Sequence, residues 1–175
     1  TDVILTFLKS ALGEAQALLR LLGALDETGR ITDHGRTLVA LPLHPRLAHM
    51  LVLAGPDAAP LAALMGERDP LRGAPADLTL RLRALNNPGN FSRAQPYEIN
   101  RGAVERIRNE AKRLRSQIGK SGHDRFSPAG MAALAYPDRI GQRRKGDAAR
   151  FVLSGGKGAL MAAGDALANA PFVVA

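Results

Sequence analysis

The 175-residue chain is 46% hydrophobic, enough to build a core, and its lack of cysteine excludes a disulfide framework or a thiolate metal site and makes a reducing cytoplasm the expected setting. No unbroken apolar run, Met131–Ala135 included, approaches the roughly 20 residues of a membrane span, so no bilayer crossing is expected. The net charge of +8 is concentrated between Arg101 and Arg150, where thirteen basic residues face five acids while the rest of the chain holds eleven of each, an imbalance that favours a polyanionic partner such as nucleic acid.

In chain order, Leu12, Ala15, Leu18, Leu19 and Leu22 fall at helical spacing with Gly23 beyond them, which predicts an amphipathic first helix. Asp26-Glu27-Thr28-Gly29 is turn chemistry, Arg30-Ile31-Thr32 a short extended piece, and Thr32 or Asp33 caps a second helix running to Leu41 before Pro42. Helix, turn, extended piece and helix within residues 1–45 form a winged-helix-like module. Residues 46–118 read as helical throughout: Arg46 to Ala54, stopped by Gly55-Pro56; Ala58 to Arg68; Ala76 to Leu85, followed by a loop at Asn86–Asn90; and a long helix capped by Asn100. In that last helix Val104, Ile107, Ala111, Leu114 and Ile118 form the packing stripe, opposite Arg106, Lys112, Arg113 and Arg115. The third unit, 119–175, begins with a polar linker at 119–125. Ser127-Pro128 then opens a short helix to Ala135, and strands follow near 138–143, 150–154, 158–161 and 172–174, with a glycine-rich hairpin turn at 155–157 and a brief helical insertion at 165–169. This pattern suits a partial OB-like barrel. The fold class is therefore α+β, mainly helical: winged-helix-like module, helical bundle, OB-like β domain. The first residues, Thr1–Phe7, lack an initiator Met and signal-peptide features, and Pro171–Ala175 has the composition of a strand interior, so the sequence reads as a piece of a longer chain.

Most catalytic chemistries lack their residues. Ser154-Gly155-Gly156-Lys157-Gly158 is not a phosphate loop, since Phe151 stands where the first glycine is required and Gly158 where the Ser/Thr that binds Mg²⁺ is required. His34, His44, His49 and His123 show no metal-ligand spacing, and a Gly-X-Ser-X-Gly elbow is absent. Glu67 and Asp69 read as capping or ion-pairing groups. What remains is binding: Arg139-Ile140-Gly141-Gln142-Arg143-Arg144-Lys145-Gly146 mixes cations with glycines that let backbone approach phosphates, and Lys157 at a hairpin tip reaches in the same direction. Aromatics are few, with Tyr136, Phe151 and Phe126 the only ones nearby and Phe151 better suited to a core, so contacts with the sugar-phosphate backbone are expected rather than base stacking. The alternative for Arg143-Arg144-Lys145 is a solvated loop.

Two stretches are more specific. Leu18–Asp26 with Gly29, Ile31-Thr32, Gly35 and Leu41-Pro42-Leu43-His44-Pro45-Arg46-Leu47-Ala48-His49-Met50 resembles the helicase-associated region of DEAH/RHA-type ATP-dependent helicases. Ala135-Tyr136-Pro137-Asp138-Arg139-Ile140, Gln142-Arg143-Arg144 and Phe151–Ala159 resemble the bacterial HrpB branch, as does Glu67-Arg68-Asp69-Pro70-Leu71-Arg72. The resemblance implies a winged helix, a ratchet-like bundle and an OB-like domain that follow two RecA-like motor domains and line a channel for single-stranded RNA. It also implies that ATP and Mg²⁺ belong to the motor, with no catalytic residue, cofactor or metal in this segment. On this reading Arg139, Arg143, Arg144, Lys145 and Lys157 contact the nucleic-acid backbone. The alternatives are a winged-helix DNA-binding regulator, against which Asp33–Leu41 offers only His34 and Arg36 as basic groups, and a protein-interaction scaffold.

Overall fold

The computed structural model of the chain describes residues 2–119, 125–146, 148–162 and 164–175. The linker expected at 119–125 therefore lies almost wholly outside the described residues, as does His123.

Helix α1 (Asp2–Leu21) is longer than its leucine spacing suggested and ends where Gly23, at φ +69°, lets the chain reverse, with the Gly23 and Ala24 amides donating to the Arg20 and Leu19 carbonyls. Near its C-terminal end Leu19 packs on the core, whereas Leu12 is 60% exposed. The expected turn follows, with the Asp26 carboxylate accepting from the Thr28 and Arg30 amides, and an isolated bridge joins Leu25 to Ile31. Thr32 caps α2 (Asp33–Val39) by accepting from the Gly35 amide. Gly35 is required by close approach, because a Cβ there would sit 2.2 Å from the Ala24 carbonyl oxygen.

Helix α3 (Pro45–Ala54) is capped by His44, whose ring nitrogen accepts from the Arg46 amide. Gly55-Pro56 does not stop the helical path as expected. It tightens the path into a 3₁₀ turn, Gly55–Ala58, that runs on into α4 (Ala59–Met65), three residues shorter than the Arg68 end suggested. The resulting stretch Pro45–Met65 is long and apolar enough to cross a membrane by composition, yet two thirds of it is buried in the protein's own core.

The reading of 46–118 as wholly helical is corrected by a two-stranded ribbon, β1 (Leu71–Arg72) against β2 (Glu98–Ile99), pairs too short for a period-two pattern to register. Between them lie α5 (Leu78–Asn86) and α6 (Pro88–Ala94). The loop expected at Asn86–Asn90 is in fact the start of α6, where the Asn87 side chain accepts from the Asn90 amide and Pro88 takes the first helical position. Helix α7 (Arg101–Gln117) is capped by Asn100 and buries Val104, Ile107, Ala111 and Leu114, as its spacing predicts. Helix α8 (Pro128–Ala135), capped by Ser127, also matches expectation.

One continuous cluster of buried residues runs from Ala24 to Ala135, crossing the boundaries drawn at 45 and 118. Its centre is α4 against α7 and α3 against α8, with Met50, Leu51, Ile107 and Leu114 inaccessible to solvent.

A 3₁₀ turn, Pro137–Arg139, leads into the antiparallel sheet of β3 (Ile140–Arg143), β4 (Arg150–Leu153), β5 (Gly158–Leu160) and β6 (Phe172–Val174), in the order β5-β4-β3-β6. The expected partial OB-like barrel is not confirmed: among the described residues no sheet closes into a barrel, and β5 and β6 remain separate edges. The helical insertion expected at 165–169 is a set of turns held by the Ala168 amide on the Asp165 carbonyl and the Ala170 amide on the Leu167 carbonyl. Phe151, Ala149, Ala168 and Val173 form a small core beneath the inner face of the sheet. The hairpin at 155–157 is as expected, with Gly156 at φ +82°.

Candidate nucleic-acid interface

Strand register places the five predicted cations. β3 and β4 pair Gly141 with Leu153 and Arg143 with Phe151, so the β4–β5 hairpin carrying Lys157 lies beside the start of β3, near Arg139, while the β3–β4 loop carrying Arg144 and Lys145 lies at the other end. A four-residue strand separates the two ends by about 13 Å. The register thus puts Arg139 and Lys157 at one end of the sheet and Arg144 and Lys145 at the other, and does not bring the five into one cluster.

The first end is tied together by hydrogen bonds. The Gly155 amide donates to the Asp138 carbonyl (2.9 Å), the Ser154 amide to the Ile140 carbonyl (2.8 Å), and the Ser154 hydroxyl to the Pro137 carbonyl. A Cβ on Gly155 would lie 2.8 Å from the Asp138 carbonyl oxygen, so glycine is what allows the hairpin to close on the 3₁₀ turn. Arg139 is exposed and lies over the Tyr136 ring at 5.4 Å, a cation–π contact that orients it without neutralising it. Lys157 is exposed, and its carbonyl accepts from the Leu153 amide.

At the second end Arg143 differs from its neighbours. It shares the inner face with Phe151, and its Nε donates to the Ala168 carbonyl at 3.0 Å, pinning the turn-rich 164–170 segment to the sheet. Arg144 and Lys145 extend into solvent from the loop, where Gly146 adopts φ +122° and the Arg144 amide donates to the Arg150 carbonyl.

The remaining basic surplus is partly spent internally. On α7, Arg106, Arg108 and Arg113 pair with Glu67, Glu105 and Glu110, and the Arg108 guanidinium also donates to the Leu85 and Asn86 carbonyls. Arg101, Lys112 and Arg115 remain exposed on the same helix.

Sequence reasoning missed two buried arginines. Arg46, 8% exposed, donates to both carboxylate oxygens of Asp138 (2.5 and 2.9 Å) and to the Ala135 carbonyl (3.2 Å), while its guanidinium also lies over the Tyr136 ring at 4.9 Å. The hydrogen bond from Arg46 holds the Asp138 carboxyl below its ordinary range. The Pro45-Arg46 and Tyr136-Pro137-Asp138 motifs, 92 residues apart, therefore meet as one clasp. Arg81, 7% exposed, clamps Asp69 in the same bidentate way (2.6 and 3.2 Å). Also missed were the contact between His34 and His49, whose ring nitrogens lie 2.8 Å apart, and Phe172, 60% exposed beside Gln142 on the outer face of the sheet. Phe151 is buried as expected, and Phe126 packs on the main core. Among the described residues no group of three His, Cys, Asp or Glu could hold a metal ion.

Residues 15–43 match the helicase associated domain (HA2), winged-helix family. The chain is 36% identical over 166 residues, 92% of its length, to the ATP-dependent RNA helicase HrpB of Escherichia coli strain K12, but spans only 18% of that protein. Among solved structures it matches an E. coli DExH-box NTPase HrpB with TM-score 0.66 and 33% identity, covering 92% of this chain and 18% of that one. A second structure, of the E. coli DEAH/RHA helicase HrpB, matches with the same TM-score and identity over 94% of this chain and 19% of the other. The chain is thus HrpB-like in sequence and in fold over nearly its whole length, with residues 15–43 similar to a helicase-associated winged helix.

Proposed function

We propose that the chain is the helicase-associated part of an ATP-dependent RNA helicase of the HrpB kind, acting in the cytoplasm, and that it guides single-stranded nucleic acid by contacts with the sugar-phosphate backbone. ATP and Mg²⁺ would be held by RecA-like motor domains of the same parent chain, since hydrolysis needs a phosphate loop that this sequence lacks. The observation that carries the reading is the HrpB likeness across 92% of the chain. It is supported by the exposed cations at both ends of the sheet, Arg139 and Lys157 at one and Arg144 and Lys145 at the other. In this role Arg143 positions the loop through the Ala168 carbonyl instead of meeting phosphate directly. Phosphate contacts of this kind are indifferent to base sequence and weaken as salt rises.

Fluorescence anisotropy of the purified chain with a labelled single-stranded RNA and with a duplex DNA of equal length tests the reading. Salt-sensitive binding that favours the single strand, without ATP hydrolysis, is expected. A preference for duplex DNA would replace it with the DNA-binding regulator, and binding to neither would leave the interaction scaffold.

A further inference from the structure

Between α4, α5, α7 and α8 lies a groove of about 670 Å³ that the nucleic-acid reading does not use. Its accessible apolar surface is supplied by Leu82, Pro60 and Pro128, above a base of Leu61, Ile107 and Met131 that is itself buried. Along its rim stand Arg83, Arg108, Lys112 and Arg115, opposed by Asp57 and Glu105. Glu105 is already engaged with Arg108 at 3.2 Å, whereas Arg83 and Lys112 enter no ion pair among the described residues. Arg108 and Arg115 are held in place by backbone carbonyls, at Leu85, Asn86 and Pro56. The rim thus presents oriented positive charge around an apolar floor.

Among the described residues no Phe, Tyr or Trp lines the groove, so they offer no platform on which bases could stack. An aliphatic floor instead suits leucine-like side chains. Along α7 the lining runs from Glu105 to Arg115, which at helical rise is about 15 Å. Apolar anchors at i, i+4 and i+7 of a guest helix span about 10 Å, so three of them fit that length. We infer that this groove is a docking site for an acidic amphipathic helix of a protein partner, with aliphatic anchors over Leu82, Pro60 and Pro128 and carboxylates against Arg83 and Lys112. Volume and floor meet the requirements of a helix-in-groove interface, and the unpaired cations select the charge of the guest.

The test uses the whole chain and a fluorescein-labelled synthetic helix of about 16 residues with Leu at i, i+4 and i+7 and Glu beside them, together with a twin in which Lys replaces Glu. The Glu helix is expected to bind saturably and the Lys twin at least about tenfold more weakly. In the Arg83→Glu/Lys112→Glu variant the Glu helix should lose about fivefold to tenfold in affinity and the Lys twin should gain, a crossover that a misfolded variant cannot produce. Equal binding of both helices, no saturable binding of the Glu helix, or its competitive displacement by single-stranded RNA would each overturn the assignment.

Discussion

Where α3 meets the C-terminal sheet, the Arg46 guanidinium is enclosed by Asp138, the Ala135 carbonyl and the Tyr136 ring. At the tip of the β3–β4 loop, Arg144 and Lys145 stand in solvent, and neither enters an ion pair among the described residues. The two regions use cationic side chains for opposite ends. A guanidinium taken out of water must be matched on the spot, so Arg46 stabilises the junction of the helical core with the sheet and has nothing left for a ligand. Cations kept in water contribute little to stability and keep their attraction for a polyanion. Arg143 is intermediate, donating to the Ala168 and Gly146 carbonyls while sitting next to the exposed pair.

The largest effect expected from breaking this contrast is at the clasp. Arg46→Ala leaves the Asp138 carboxylate without its partner and should lower unfolding stability by about 3 kcal/mol in urea titration. Arg46→Lys should recover little, because an ammonium cannot reproduce the bidentate geometry. Next, Gly35→Ala forces a methyl group against the Ala24 carbonyl and should cost about 2 kcal/mol in the same assay, separating backbone crowding from charge pairing.

Acidity sharpens the comparison further. Burial lowers the pKa of His34, and burial followed by repulsion from His34 lowers that of His49. Because the folded pKa lies below the unfolded 6.5, the unfolded chain takes up protons first. Stability is then fully present above pH 6.5 and declines as pH falls below it, and His49→Gln should flatten that decline. Asp138, held below 3.8 by Arg46, adds a second loss as pH falls below 3.8, and Arg46→Ala should remove it.

Much of the fold was readable because it depends on local rules. Thr32, Asn100 and Ser127 cap helices at the positions their side-chain chemistry predicts, and the α7 stripe buries as its spacing requires. The ribbon of Leu71–Arg72 with Glu98–Ile99 escaped because two residues cannot show an alternation, and Asn86–Asn90 misled because Asn-Pro opens a helix as readily as a loop. The barrel was inferred from strand count, which does not report whether edges meet. For the site, sequence listed the cations but not their partners: nothing local to Arg46 or Arg143 distinguishes it from Arg144, since Asp138 and the Ala168 carbonyl are brought to them by long-range packing. The contact between His34 and His49 was invisible for the same reason, the two being 15 residues apart.

Smaller in energy, but closer to function, are changes to the exposed cations. Arg139→Ala and Lys157→Ala should each leave stability within about 0.5 kcal/mol while weakening single-stranded RNA binding in anisotropy titrations. The most direct measurement is the slope of log affinity against log salt for a single-stranded RNA, taken for the chain and for Arg144→Ala/Lys145→Ala alongside their urea midpoints. The account predicts an unchanged midpoint and a slope shallower by about 1.4, or about 0.7 per cation removed. An unchanged slope, or a loss of stability matching that of Arg46→Ala, would contradict it.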